Sequence, residues 1–221
     1  DCSRVMELLQ DHGSLINGFD QNVELEDTYL YPLLKSSDLN RVAKSGPVRR
    51  LIVPQREIGE DTSSMESRAP KTWAYLCQHA DLLAGRRSSI YRNRPQFSIF
   101  GVGSYSFAPW KIAISGFYKS LQFDVAGPCH GKPTVVDDTV YFLPCQSKQE
   151  AALFVKLLHS DPAQEYLSSL IFWDAKRPVT GRILRRLDLL AVANELQLHA
   201  ELKEFAKTNP WISLEHPEPA I

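Results

Sequence analysis

The sequence is marked first by what it lacks. No stretch of its 221 residues strings together the ~18 apolar side chains of a membrane-crossing helix. The four cysteines, Cys2, Cys77, Cys129 and Cys145, stand singly without a Cys-x-x-Cys pair. That spacing excludes a zinc knuckle and a thioredoxin-type redox pair, and predicts free thiols in a cytoplasmic protein. There is no His-Glu-x-x-His and no Gly-x-Ser-x-Gly, and Cys129-His130 has no second ligand pair at a metal-binding spacing. Gly101-Val102-Gly103 is half of a phosphate-cradling glycine pattern, with no helix pattern behind it, and predicts a tight turn instead. A basic-then-apolar leader is missing, as is an initiator Met, so the chain is expected to be a piece of a longer polypeptide.

What is present is an ordinary core-forming composition, 43% apolar and 23% charged, with an uneven spread of charge. The formal net charge is -1. Residues 1–40 carry eight acids against Arg4 and Lys35, and residues 188–221 carry six acids against Lys203 and Lys207. The middle, 41–187, therefore holds 21 bases against 12 acids, a +9 centre between acidic flanks. Such a centre attracts polyanions, nucleic acid first.

Hydrophobic periodicity predicts an α+β fold: a central mixed β-sheet region flanked by helices, with a helical C-terminal part. A short helix is expected over about 3–10, ended by His12-Gly13, and Pro32 opposes a helix in 29–39. "RRLIVPQ" (49–55) is a strand candidate. "APKTWAYLCQHADLLAGRR" (69–87) is the clearest helix, opened by Pro70, closed by Gly85, and burying Trp73 and Cys77 on one face. From 97 to 143 the residues favour strands, as in "WKIAISG" and "PTVVDDTVYFLP". Helices are expected again over 147–159, 161–171 (capped by Asp161 before Pro162) and about 180–206, with an extended, proline-spotted tail from Thr208. Three parts are expected: 1–28 as a helical or linker segment, 29–190 as the principal domain, and 191–221 as a helix and tail.

Three basic stretches carry the candidate chemistry. "GRRSSIYRNRP" (85–95) sets Arg86, Arg87, Arg92 and Arg94 around Tyr91. "SIFGVGSYSFAPWKIAISGFYK" (98–119) crowds rings such as Tyr105 with Lys111 and Lys119 and has no acid. "WDAKRPVTGRILRR" (173–186) adds Lys176, Arg177, Arg182, Arg185 and Arg186. Arginine forks suit phosphates and guanine edges, and neighbouring rings suit bases. The competing reading is a nuclease with a metal on Asp137 or Asp138 beside Glu150 and Lys156, and a third is a protein-interaction patch. Asn209-Pro210-Trp211 lacks the second proline of the loop that amino-methyltransferases use, and no cofactor-binding strand and glycine turn precedes it, so it is set aside.

The succession of "YPLLKSSDL", "RRLIVPQ", "LLAGRRS", "FAPWKIAISG", "DDTVYFLP" and "LSSLIFWDAKRPVTGRILRRLDL" resembles the C-terminal target-recognition domain of TaqI-like adenine-N6 DNA methyltransferases and related fused restriction–modification proteins. It is also similar in layout to the recognition domains of type I restriction specificity subunits. The resemblance covers roughly residues 29–190. It implies a module that grips double-stranded DNA, while a separate catalytic domain, in the same or a partner chain, binds S-adenosylmethionine and moves the methyl group. No cofactor is expected in this chain and no catalytic residue carries over. Charge and chemistry assign phosphate contacts to Arg49, Arg50, Arg86, Arg87, Lys176 and Arg177. They assign base readout to Arg92, Arg94 or Lys111, with Tyr91 or Tyr105 alongside and Lys119 facing the DNA.

Overall fold

The computed structural model describes residues 2–39 and 48–212. The last part of the expected extended tail, 213–221, lies outside the described residues. In chain order the strands are β1 (Glu7–Asp11), β2 (Ser14–Ile16), β3 (Asn22–Val23), β4 (Leu30–Leu34), β5 (Arg49–Ile52), β6 (Trp110–Ser115), β7 (Asp124–Ala126), β8 (Val135–Val136) and β9 (Val140–Cys145). The helices are α1 (Ser3–Met6), α2 (Met65–Arg68), α3 (Pro70–Gln78), α4 (Ala80–Ala84), α5 (Lys148–Leu158), α6 (Asp161–Leu170), α7 (Gly181–Leu184), α8 (Leu189–Glu195) and α9 (His199–Thr208). The α+β class expected from the sequence is what the chain forms. It divides into two compact units, 1–33 with 47–107 and 132–135, and 34–46 with 108–131 and 136–221.

The first unit is built on the sheet β3-β2-β1-β5-β4-β8. Its N-terminus departs from expectation: the helix stops at Met6, and Glu7–Asp11 runs as a strand. His12 and Gly13 are the cause. Both take positive φ, +44° and +89°, the geometry of a two-residue hairpin turn, and Asp11 faces Ser14 across it. Leu8 is then buried while Leu9 is exposed, the alternation of a strand with one face covered. Pro32 sits in β4 opposite Arg50, in keeping with its bias against helix.

The long helix expected over 69–87 is two helices with His79 between them. The His79 ring stacks on Phe19 at 5.4 Å and meets Tyr75 edge-on at 4.9 Å, so tertiary packing sets the break. The first of the two helices turns Thr72, Tyr75 and Leu76 inward, so Cys77 is exposed, not buried, and Trp73 is half-buried with its ring edge-on to the buried Phe97. The start of α3 is capped from a distance. Glu26 accepts from the backbone N–H of Lys71 and of Thr72, each at 2.8 Å, and from the Thr72 hydroxyl at 2.7 Å.

The second unit holds the antiparallel sheet β7-β6-β9. Ile112 and Ile114 of β6 pack with Phe154 and Leu157 of α5, Leu167 of α6 and Leu202 of α9. Ser147 caps α5 by accepting from Glu150 N–H, and Ser160, one residue before the expected Asp161, occupies the cap position of α6. The helical region expected near 180–206 consists of three helices, with fresh caps at Thr180 and Asp188. Gln197, at φ +60°, ends α8. Asn209 is buried behind α9 and donates to the Pro144 carbonyl and the Glu150 carboxylate, which fixes the end of the described chain to β9 and α5.

Candidate nucleic-acid interface

In the first unit the arginine-rich stretch after α4 folds into a tied loop. Arg86 donates from Nε to the Leu83 carbonyl at 2.7 Å and from Nη1 to the Ser98 carbonyl, and its guanidinium lies 3.8 Å from the Tyr91 ring centroid. It is a fastener between the end of α4 and the 98–101 loop, which leaves its phosphate role to its neighbours. Ser88 accepts from Ile90 N–H and starts a 3-10 turn over Ser89–Tyr91. Arg92–Asn93–Arg94 follows, with Asn93 in the left-handed region at φ +56°.

This backbone places Arg87, Arg92 and Arg94 in solvent. Together with Arg86 and Tyr91 they line a cleft of about 420 Å³, where Asp81 is the acid. Among the described residues no carboxylate pairs with these three guanidiniums. Free guanidiniums on a fixed backbone can each donate two parallel hydrogen bonds to phosphate or to a guanine edge.

Arg49 and Arg50 lie on β5 of the same unit, away from that role. Arg50 is buried, donates from Nε to Gln10 Oε1 at 2.9 Å, and sits 3.8 Å from Asp27, so burial removes it from the phosphate-contacting set. Arg49 is half-buried and already partnered. Tyr105 is exposed in the 3-10 turn Ser104–Phe107, and its hydroxyl donates to the Gly101 carbonyl at 3.2 Å.

In the second unit Lys111 is the main correction. It is 1% exposed on β6, donates to the Ala108 carbonyl at 2.7 Å, and lies 5.6 Å from the Phe142 ring. Burial holds its pKa at about 7, with the nearby Cys145 sulfur opposing the fall. No base edge can reach it. Lys119 is exposed and 3.6 Å from Asp174. Arg177 pairs with Asp138 at 3.3 Å and covers the Phe117 ring, and Lys176 is exposed with no carboxylate partner among the described residues.

The acids of the nuclease reading are spent on structure. Asp137 accepts from Thr139 N–H and Oγ1 and lies 3.6 Å from Lys35, Asp138 holds Arg177, and buried Glu150 accepts from Gln146 and Asn209. Among the described residues no group of three His, Cys, Asp or Glu side chains is placed to hold a metal ion. No described helix is long and apolar enough to cross a membrane.

Sequence reasoning missed the apolar companions of the arginines. Ile58, Ile90 and Phe100 are 55%, 44% and 54% exposed, and propensity gives no sign of it, since such residues are core by default. The flanking Gly59 and Gly101, at φ +90° and +67°, mark the turns that turn two of them outward.

No family model matches the chain. It is similar to a curated protein, the type II methyltransferase M.NspV of Nostoc sp. (strain ATCC 29411 / PCC 7524), at 49% identity over 193 residues. Those residues are 87% of this chain and 40% of the relative, so the chain spans well under half the length of the protein it matches. The chain is therefore related in sequence to part of a type II methyltransferase.

A methyltransferase relative raises the methyl donor, and the glycine turn at 101–103 is where a donor cradle would be sought. It does not fit one. A Cβ at Gly103 would fall 2.6 Å from Cε1 of Tyr105, so the chain's own ring fills the space beside that turn.

Proposed function

We propose that this chain is the DNA-reading part of a type II adenine-N6 DNA methyltransferase, or of a fused restriction–modification enzyme, acting in the cytoplasm. Its catalytic domain, with the S-adenosylmethionine site, lies outside the chain. One observation carries the reading: Arg87, Arg92 and Arg94 stand exposed and, among the described residues, without carboxylate partners on a loop that Arg86 pins at both ends. Unpaired arginines on fixed backbone are what a duplex offers partners to, and the matched relative is a methyltransferase by name. In the second unit, Lys176 adds a further exposed cation with no carboxylate partner among the described residues. The nuclease reading loses its acids to Thr139, Lys35 and Arg177.

The test is a duplex-binding titration of the 221-residue chain over a salt series. Four cations without a carboxylate partner among the described residues, Arg87, Arg92, Arg94 and Lys176, correspond to a slope of log K against log salt of roughly -4. Binding that does not change with salt, or no binding at low salt, would overturn the reading.

A further inference from the structure

Ile58, Ile90 and Phe100 come from three separate segments of the first unit and line one cleft of about 190 Å³. Tyr91 and Arg94 belong both to this cleft and to the arginine-lined one, so the two adjoin. Single exposed apolar side chains need no explanation, but three that converge beside free cations do.

Their exposure is not the slack of loose loops. The turn that shows Ile58 is closed by Glu60, whose carboxylate accepts from the N–H of Arg56 and of Glu57. Ile90 stands in the 3-10 turn that Ser88 caps. Phe100 follows Ile99, whose N–H and carbonyl are both held by the buried Gln55 amide at 3.2 and 2.7 Å. The Phe100 ring meets Tyr91 edge-on at 6.4 Å. Arg94 lies along Gly59, where a Cβ would come within 3.4 Å of its Nη1.

The chemistry of the cleft is therefore narrow. Among the described residues no carboxylate lines it, the Gln55 amide has both ends engaged and the Ser98 hydroxyl donates to the Pro95 carbonyl, so its walls are mainly apolar, with the Tyr91 ring and the Arg94 guanidinium beside them. Among the base edges of the major groove, the 5-methyl group of thymine is the one that asks for apolar contact. We propose that the cleft between Ile58, Ile90 and Phe100 receives the 5-methyl group of a thymine, with Arg94 set against the adjoining phosphate or guanine edge. The inference rests on the DNA-reading function above and makes this cleft a specificity-determining subsite.

The experiment begins by selecting the preferred duplex of the 221-residue chain from a random-sequence pool. Each thymine is then replaced singly by deoxyuridine, which removes the methyl group alone. One position should lose about four-fold in affinity, the ratio for burying one methyl group, and the others should be unchanged. In Phe100→Ala the same replacement should cost nothing further, whereas Phe172→Ala, at an exposed ring of the second unit, should keep the loss. Salt-dependent duplex binding without a sensitive thymine, or with a loss that persists in Phe100→Ala, overturns this inference and leaves the DNA-reading function standing. Absence of duplex binding overturns both.

Discussion

Lys111 holds an ammonium group where its strand neighbours hold hydrocarbon. Burial lowers its pKa from the ordinary 10.5 to about 7, so between those values the unfolded chain carries a proton that the folded chain has shed. Stability therefore rises with pH across that window, by up to about 1.4 kcal/mol per pH unit from this residue, and falls again as the pH drops toward 7. Urea unfolding at a series of pH values should show the slope, and Lys111→Met should flatten it while stabilising the chain at pH 7. The cysteines give a second measurement at this scale. Cys77 is exposed, whereas Cys145 is buried with its pKa pushed up to about 12, chiefly by burial. Reaction with a disulfide reagent at pH 8 should label Cys77 within the folded protein and Cys145 only on unfolding. If Cys145 reacts as fast as Cys77, the burial of its thiol is overturned.

At the scale of elements, the cap on α3 comes from 45 residues upstream in sequence. Burial works against the Glu26 carboxylate, yet hydrogen bonds from the Thr72 hydroxyl and the N–H groups of Lys71 and Thr72 hold its pKa down at about 2. Its stabilising effect is complete above pH 4.5 and is lost as the pH falls through about 2. Glu26→Ala should cost about 1–2 kcal/mol at pH 7, the usual value of an N-cap, with the difference from wild type shrinking toward pH 2. Thermal melts at the two pH values would measure it. Pro70 marked this helix start in the sequence, but its capping acid could not be found there because the pair is non-local. The same contrast runs through the fold. Strands β5, β6 and β9 and helices α5 and α6 were legible from β-branched runs and caps. The His12-Gly13 hairpin was mistaken for a helix stop because both structures use glycine at positive φ. The basic loop 85–95 was legible by composition, while composition could not separate free Arg87 from Arg86, which is spent on two carbonyls.

Across the whole molecule, a net charge of -1 predicts no attraction to DNA, so any affinity must come from where the bases are placed. Arg87→Ala should weaken binding to all duplexes alike and reduce the magnitude of the salt slope by about one unit, as for a phosphate contact. Measuring the slope on cognate and unrelated duplexes checks this, and a loss confined to the cognate sequence would make Arg87 a base reader instead. The way the chain is threaded bears on how such a protein can change its target. Each unit is assembled from three stretches of sequence, interleaved with those of the other. No single recombination joint between two related genes therefore passes one unit on intact by itself; the two units meet at five boundaries along the chain. Substitution within exposed turns such as 56–60, 88–94 and 100–101 meets no such boundary, and leaves the strands of the sheet as they are.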